Sequence, residues 1–278
     1  MRDGVCLSAD VYRPDRPGRF GAVLEHIPYR KDDLRALQDR GQNLALVAAG
    51  FVCVRLDVRG TGSSEGVAVD EYTETEQLDG VEVVDWMSRQ DWCNGNVGSW
   101  GKSYGGFSCI QLAARRPPAL RAIAPVYATD DRYTDDMHYD GGALAAFELT
   151  NYPVRMIGMN ALPPGHGEGP EFDRRWRERI DATPPWVIPW LTEQHDGPYW
   201  RNGSLRPDYE RIECPVFLGF GEVDVVSTPR AEARAYPASG HITVTVVPGM
   251  AHVHNFASAR AELWERLLVW LDGLDRLI

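Results

Sequence analysis

The chain has 278 residues, of which 44% are hydrophobic and 25% charged, and its formal net charge is −11. This size and composition suit one large α/β domain with room for an inserted subdomain, and they exclude wholesale disorder. The acidic balance argues against nucleic acid or an anionic membrane as a partner, because either would need a basic surface. The basic run at 174–177 is therefore interpreted as a solvated helix face.

The five cysteines are odd in number and scattered, and no pair has metal-ligand spacing, which favours a reducing compartment. The charged opening at 1–4 leads directly into a predicted strand, so we expect no signal peptide. No apolar run reaches the length of a membrane span. We predict a cytoplasmic protein that acts on a small molecule and uses no metal or cofactor; its oligomeric state is left open.

The first half of the chain alternates between predicted strands and helices. Strands are predicted at 4–13, 22–27, 51–58, 97–100 and 122–126. Helices are predicted before Gly50, at about 75–89 and at 107–114. In the second of these, four side chains should face the core: Leu78, Val81, Val84 and Trp86. This alternation predicts an α/β protein with a mostly parallel, doubly wound sheet.

The sequence changes character at about residue 127, where Asp, Pro, Trp and Tyr become frequent and periodicity weakens. We interpret 127–206 as an inserted, partly helical cap, flanked by two core segments at 1–126 and 207–278. The alternation then resumes, with strands predicted at 215–220 and 241–247, a short helix at 228–236, and an amphipathic helix at 257–274.

The segment Gly101-Lys102-Ser103-Tyr104-Gly105 lies between a predicted strand and a predicted helix. It matches the Gly-x-Ser-x-Gly nucleophile elbow, in which a strained turn pushes the serine hydroxyl clear of the backbone. Glycines on both sides let the strand and helix approach each other closely. The pattern alone also fits a glycine-rich turn with a capping serine.

A serine hydroxyl becomes a nucleophile when an adjacent base takes its proton, and a carboxylate orients that base. In the α/β-hydrolase fold these partners follow the serine in the order acid, then histidine, each after a later strand. We predict Asp224 as the acid, with Glu222 as a weaker substitute. We predict His252, rather than His254, as the base. The alternatives are a helix-capping carboxylate and a surface-loop histidine.

The reaction also needs an oxyanion hole, for which the residue after the nucleophile normally supplies a backbone N–H. Here that residue is Tyr104. The second donor should lie on the loop after an early strand, which reads Pro28-Tyr29-Arg30-Lys31. Tyr29 could donate its phenol, although a loop tyrosine often serves only for packing.

Taken together, these residues resemble the cocaine esterase and X-Pro dipeptidyl-peptidase family of serine hydrolases (CocE/NonD-like). The resemblance rests on the Pro-Tyr-Arg-Lys loop, the segment Asp57-Val58-Arg59-Gly60-Thr61-Gly62-Ser63-Ser64-Glu65-Gly66, and the elbow with its Ser-Tyr pair. It implies an α/β-hydrolase fold with a cap, Ser103 as the nucleophile, and the Tyr29 phenol as the group that completes the oxyanion hole.

Three departures from the family pattern affect what can be carried over. Glu222 stands where the acid loop usually has tryptophan, and Met250 stands where the histidine loop usually has tryptophan. Both changes remove aromatic walls, so family substrate preferences are not inherited directly. A C-terminal jelly-roll domain usually follows in the family and is not found here, so we expect either a minimal variant or a fragment.

The sequence favours carboxylic ester hydrolysis, with X-Pro dipeptide release or amino-ester hydrolysis as the alternative. The acidic pairs at 130–131 and 135–136 could hold a substrate ammonium or form a solvated loop. Several cap aromatics could line an acyl pocket or form the core of the cap: Tyr133, Trp176, Trp186 and Trp190.

Two rival functions come from other classes. A non-catalytic binding protein could use the same fold, because fold does not settle function. A dehydrogenase is suggested by Gly60-x-Gly62 after a strand, but Asp57 and Glu65 would repel a pyrophosphate.

Overall fold

The computed structural model describes residues 1–33, 36–165, 169–224, 236–252 and 257–274. The strands of these ranges are β1 (Ala9–Tyr12), β2 (Phe20–Ile27), β3 (Val52–Asp57), β4 (Cys93–Lys102), β5 (Leu120–Val126), β6 (Tyr139–Asp140), β7 (Ala143–Leu144), β8 (Val216–Gly221) and β9 (Ile242–Val247). Seven of them form one sheet in the order β1-β3-β2-β4-β5-β8-β9. β1 runs antiparallel to β3 and the other pairs are parallel, as predicted.

The helices of the same ranges are α1 (Ala36–Ala48), α2 (Glu74–Ser88), α3 (Tyr104–Ala114), α4 (Ala146–Ala161), α5 (Pro170–Ala182), α6 (Val187–Thr192), α7 (Pro198–Arg201) and α8 (Arg260–Leu274). A single 3₁₀ turn lies at Tyr209–Arg211. The predicted strand at 4–13 forms only as β1, and the predicted helix at 228–236 lies outside the described residues except for Tyr236.

Two hydrophobic layers cover the sheet, because side chains alternate between the faces of a strand. On β3, Val54 belongs to the layer that contains α2 and α3, whereas its neighbour Cys53 belongs to the layer that contains α1 and α8. β8 repeats the alternation, with Leu218 in the first layer and Phe217 in the second. The sheet is therefore doubly wound and buried on both sides.

The predicted inward position of Trp86 on α2 is wrong. Its side chain is 41% exposed and lies edge-on against Trp92, with ring centroids 6.0 Å apart. The buried stripe of the helix instead runs through Gly80, Val84 and Met87, which follow the helical spacing of three to four residues. Trp86 falls on the far side of that stripe.

Between β5 and β8 the chain forms the hairpin β6–β7 and the helices α4 to α7, which together we call the cap. Its centre is a cluster of buried aromatic side chains that includes Trp186, Trp190 and Trp200. The same cluster contains Tyr29 and Tyr104, so the cap packs directly on the elbow. The limits at 127 and 206 stay a prediction.

Buried charges attach the cap to the loop before α2. The guanidinium of Arg132 donates to Glu71 at 2.7 Å and to the carbonyl of Asn202 at 2.8 Å. The carboxylate of Asp70 accepts the Tyr199 hydroxyl at 2.8 Å and the Trp190 indole N–H at 3.3 Å. The bonds to Asp70 and Glu71 join the core to the segment between β5 and β8, and they hold the cap against the core.

The acidic residues at 130–131 and at 136 fit neither of the predicted alternatives, a substrate-ammonium site or a solvated loop. Asp130 is buried and accepts the Tyr236 hydroxyl at 3.2 Å. Asp131 is buried and pairs with Arg206 at 2.7 Å. Asp136 accepts from the His138 ring at 2.9 Å. Internal donors engage all three carboxylates, so these groups stabilise the chain itself.

A buried ion cluster lies under the elbow on the α1 side of the sheet. Lys102, the last residue of β4, donates to Asp39 on α1, and Arg55 on β3 donates to the other oxygen of Asp39 at 2.7 Å. Glu25 on β2 lies 3.6 Å from Arg55. The lysine of the elbow is therefore a buried anchor between sheet and helix.

Two further observations concern the environment that the sequence predicts. All five cysteines are free thiols. Among the described residues, no helix is both long enough and apolar enough to cross a membrane.

Replacing the shared carboxylate of this cluster should destabilise the protein strongly. Asp39→Ala leaves Arg55 and Lys102 buried without their common partner, so the free energy of unfolding should fall by about 3–5 kcal/mol. Urea denaturation measures this change. The control is Asp85→Ala, which removes an exposed pair with Arg89 and should cost less than about 1 kcal/mol. Equal losses in the two variants would contradict the assignment of Asp39 as an anchor.

Candidate active site

Ser103 occupies the turn between β4 and α3. Its backbone has φ +55° and ψ −120°, a conformation that residues other than glycine rarely adopt. Its N–H donates to the carbonyl of Val126 on the neighbouring strand at 2.8 Å, and its carbonyl accepts the N–H of Gly106 at 2.8 Å. Backbone bonds on both sides thus hold the serine in the strained conformation that the sequence predicts for an elbow.

The glycines around Ser103 are required by space. A Cβ atom on Gly101 would lie 2.4 Å from the carbonyl carbon of Gly105, and one on Gly106 would lie 2.5 Å from the Cβ of Ala128. The first neighbour is backbone and the second is a Cβ fixed to the backbone, so neither can give way alone. The strand and helix therefore approach each other only because these positions lack side chains.

Ser103, His252 and Asp224 form one hydrogen-bonded chain. The His252 Nε2 atom lies 2.9 Å from the Ser103 Oγ atom, and the His252 Nδ1 atom lies 3.0 Å from the Asp224 Oδ2 atom. The Asp224 side chain is fully buried, whereas the His252 side chain is 22% exposed. When Nδ1–H donates to the carboxylate, Nε2 is the acceptor that faces the serine hydroxyl.

The loops after β8 and β9 are bonded to each other, which sets the distance between the acid and the histidine. The N–H of Val223 donates to the carbonyl of Met250 at 3.1 Å. A Cβ atom on Gly221 would lie 2.2 Å from that same carbonyl oxygen. Glu222, the predicted weaker substitute for the acid, is exposed and accepts the N–H of Gly249 at 2.9 Å. Glu222 therefore joins the two loops. His254, the histidine that the sequence disfavoured as the base, lies outside the described residues.

Two tyrosines in contact with each other belong to the elbow and to the loop after β2. Tyr104 is the first residue of α3, so its backbone N–H has no acceptor within the helix. Tyr29 follows β2, and its ring meets the Tyr104 ring edge to face with centroids 6.1 Å apart. The Tyr29 hydroxyl lies 3.3 Å from the hydroxyl of Tyr152, which belongs to the cap helix α4.

The side chain of Tyr104 is bound to a buried carboxyl group. Its hydroxyl donates to Glu76 at 2.8 Å, and the N–H of Tyr72 donates to the same Glu76 oxygen at 3.1 Å. Burial of Glu76 raises its pKa to about 8, against the opposing effect of the Tyr104 hydrogen bond. Glu76 therefore holds the residue that follows the nucleophile, and most of it is protonated at neutral pH.

Two contacts of these tyrosines were not predicted from the sequence. Thr73 and Glu76 have the spacing of a capping box, and the Thr73 hydroxyl does accept the Glu76 N–H at 3.2 Å. That signal explains why α2 begins here but does not indicate that Glu76 binds Tyr104. Nothing in the sequence around Tyr152 indicates its contact with Tyr29.

The glycine segment after β3 encloses an internal carboxylate. The Asp57 carboxylate accepts the backbone N–H groups of Lys31 at 2.7 Å and of Ser63 at 2.9 Å. A Cβ atom on Gly62 would lie 2.1 Å from one of its oxygens. Amides that would bind a pyrophosphate in a dinucleotide site are therefore occupied, which disfavours the dehydrogenase alternative.

One group among the described residues brings metal-ligating atoms within 4.8 Å of one another: Glu71, Asp136 and His138. The His138 ring lies 2.9 Å from Asp136 and 3.2 Å from Glu71, through its two nitrogens. Burial alone would lower the His138 pKa, but the two carboxylates outweigh it and raise the pKa to about 9. A protonated imidazole with Arg132 beside it forms a buried ion cluster and is a poor metal ligand.

Comparisons with known proteins show the family to which the chain belongs. The sequence profile of the X-Pro dipeptidyl-peptidase (S15) family matches residues 3–249. The cocaine esterase of Rhodococcus sp. (strain MB1 Bresler) is 36% identical over 247 residues, which cover 81% of this chain and 42% of that protein.

Two solved structures show the fold. A CocE/NonD family hydrolase from Staphylococcus aureus superposes with a TM-score of 0.72 at 20% identity, covering 96% of this chain and 48% of that one. An esterase from Exiguobacterium antarcticum superposes with a TM-score of 0.64 at 18% identity, covering 97% of each chain. The predicted α/β-hydrolase fold is confirmed. The matched regions cover 26% to 42% of the curated relatives.

The buried carboxyl of Glu76 should make stability depend on pH. Its pKa of about 8 lies above its ordinary value of 4.5, so the folded state keeps a proton that the unfolded state releases. The free energy of unfolding should therefore fall as pH rises through this window. Because Gln does not ionise, Glu76→Gln should gain stability over the natural protein between about pH 5 and about pH 8, by at least about 1 kcal/mol.

Urea denaturation at both pH values measures this difference. The control is Glu74→Gln in the same turn of α2, because its hydrogen bond with Arg115 lowers the pKa of Glu74. That variant should not reproduce the gain. Identical pH dependence of Glu76→Gln and the natural protein would contradict a buried, protonated Glu76.

Proposed function

Because the chain belongs to the X-Pro dipeptidyl-peptidase (S15) family, we propose that it is a serine hydrolase that cleaves carboxylic esters or amides through an acyl-enzyme on Ser103. The observation that carries this proposal is the hydrogen-bonded chain from Ser103 through His252 to Asp224. All three residues lie at the carboxyl ends of parallel strands, where α/β folds place their reactive groups.

In the first step the Ser103 oxygen attacks the carbonyl carbon of the substrate while His252 Nε2 takes the serine proton. The carbonyl π electrons move to its oxygen, which becomes an oxyanion. The Asp224 carboxylate stabilises the imidazolium by accepting the hydrogen bond from Nδ1–H. The imidazolium then gives its proton to the leaving alcohol or amine as the bond to that group breaks, which leaves the acyl group on Ser103.

Water completes the cycle by the same route. His252 takes a proton from a water molecule that attacks the acyl carbon, and a second oxyanion forms. When it collapses, the bond to the Ser103 oxygen breaks and His252 returns a proton to that oxygen. The product is a carboxylic acid, and no oxidant or cofactor enters the balance. The proposed oxyanion donors are the Tyr104 backbone N–H and the Tyr29 phenol.

Ester hydrolysis is the first choice of substrate class. An aminopeptidase or amino-ester hydrolase would need a carboxylate to hold the substrate ammonium. The cap acids that could do this, Asp130, Asp131 and Asp136, are engaged with internal partners. The aromatic side chains Trp186 and Trp190 are fully buried in the cap, which leaves them little surface for an acyl group. Release of X-Pro dipeptides is the second candidate, supported by the family match.

Two further proposals concern the compartment and the class of partner. The free thiols are compatible with a reducing compartment such as the cytoplasm. The net charge of −11 supports a small-molecule substrate over nucleic acid.

The nucleophile is tested by a fluorophosphonate probe, which reacts with activated serines. We expect stoichiometric labelling of Ser103 in the folded protein and none after unfolding, because the hydroxyl needs His252 to take its proton. Ser103→Ala should abolish labelling. Ser99→Ala is the matched control, because this buried serine lies on β4 and donates to the carbonyl of Leu24 at 3.3 Å. An unlabelled Ser103 would favour the non-catalytic binding protein.

The substrate class is tested by comparing kcat/KM for a p-nitrophenyl acyl ester and a Gly-Pro anilide. We expect the ester to be cleaved at least about 100-fold faster, because three of the four acids named for an ammonium are engaged with internal partners. Preference for the anilide would instead make X-Pro dipeptide release the activity.

A further inference from the structure

Tyr152 on the cap helix α4 lies against the proposed oxyanion donor, and no sequence motif assigns it a role. We propose that Tyr152 is a positioning residue for Tyr29, which makes the cap a working part of the oxyanion hole. The inference rests on the proposed function, in which the Tyr29 phenol donates to the developing oxyanion. Its basis is the 3.3 Å contact between the two phenol oxygens.

The direction of this hydrogen bond follows from the number of protons. A phenol has one proton to donate and lone pairs with which to accept. If Tyr29 gives its proton to the oxyanion, it can only accept at Tyr152, so Tyr152 must donate to Tyr29. The arrangement is a short chain from Tyr152 through Tyr29 to the substrate oxygen. Hydrogen bonds in such chains polarise and strengthen one another, and here the Tyr29 proton becomes the better donor.

The surroundings of Tyr152 restrict its motion. Its ring stacks on Trp190 with centroids 6.0 Å apart and planes 12° apart. Trp190 is completely buried, and its indole N–H donates to Asp70 in the loop before α2 at 3.3 Å. The hydroxyl of Tyr152 is thus held through Trp190 to the core and does not move freely with a surface helix.

Arg155 lies one turn further along α4, on the face that Tyr152 shares. Its guanidinium is 6.0 Å from the centre of the Tyr29 ring. Among the described residues no carboxylate lies within ion-pair distance of Arg155, so its charge is not neutralised locally. A guanidinium over an aromatic face makes a cation–π contact, which helps to hold the Tyr29 ring. Two residues of one helix face therefore contact Tyr29.

A double-mutant cycle tests the inference. It compares hydrolysis of a p-nitrophenyl ester by four proteins: the natural protein, Tyr29→Phe, Tyr152→Phe and the double variant. Tyr29→Phe should lower kcat/KM by about 10²–10³-fold, as expected for loss of an oxyanion donor. Tyr152→Phe should lower kcat and kcat/KM together by about 3- to 10-fold with KM unchanged, which corresponds to one hydrogen bond. In the Tyr29→Phe background it should cause no further loss.

The control variant is Thr150→Ala, which removes another hydroxyl of α4, one that donates to the carbonyl of Ala146 at 3.1 Å within the helix. It reports loss of cap stability alone and should leave kcat unchanged. Thermal unfolding of every variant confirms that it is folded.

Three results would overturn the inference while the proposed function stands. They are an unchanged kcat in Tyr152→Phe, a loss in Tyr152→Phe that is fully additive with Tyr29→Phe, and an equal loss in Thr150→Ala. An unchanged rate in Tyr29→Phe would also overturn it, because Tyr29 would then not be the donor. Full ester hydrolysis by Ser103→Ala would mean instead that the proposed function itself has failed.

Discussion

The proposed catalysis depends on keeping Ser103 in a backbone conformation that its own side chain disfavours. The φ of +55° persists because strand and helix are locked on both sides of it. Lys102, just before the serine, is bound to Asp39 on one face of the sheet. Tyr104, just after it, is bound to Glu76 on the other. Both bonds are buried and involve ionisable groups, so the strained residue is held by partners that water does not loosen.

Most of the fold and the core of the site could be predicted from local sequence. Alternating strands and helices imply a parallel sheet, and parallel strands bring their carboxyl ends to one edge. That rule places Ser103, Asp224 and His252 together although up to 149 positions separate them along the chain. Glycines at the elbow were predictable for the same reason, because only their backbone allows so close an approach.

The features that the sequence did not predict are those set by packing between distant elements. Glu76 follows an ordinary helix start, and its bond to Tyr104 exists only because α2 packs beside α3. Tyr152 has no motif, and its contact spans 123 positions from the cap to the core. The partners of Asp130 and Asp131 were not predicted because they come from elsewhere in the chain, namely Tyr236 and Arg206. The inward position of Trp86 was predicted wrongly because hydrophobicity alone does not determine which face of the helix is buried.

The central claim is that substrate passes through a covalent bond to Ser103. Its most direct test is acid quenching of the protein during turnover of a p-nitrophenyl ester, followed by intact mass measurement and peptide mapping. The account predicts a mass increase of one acyl group, placed on Ser103, and a burst of p-nitrophenol that equals the number of active sites. Turnover with no acyl group on the protein, or with the acyl group on another residue, would contradict it.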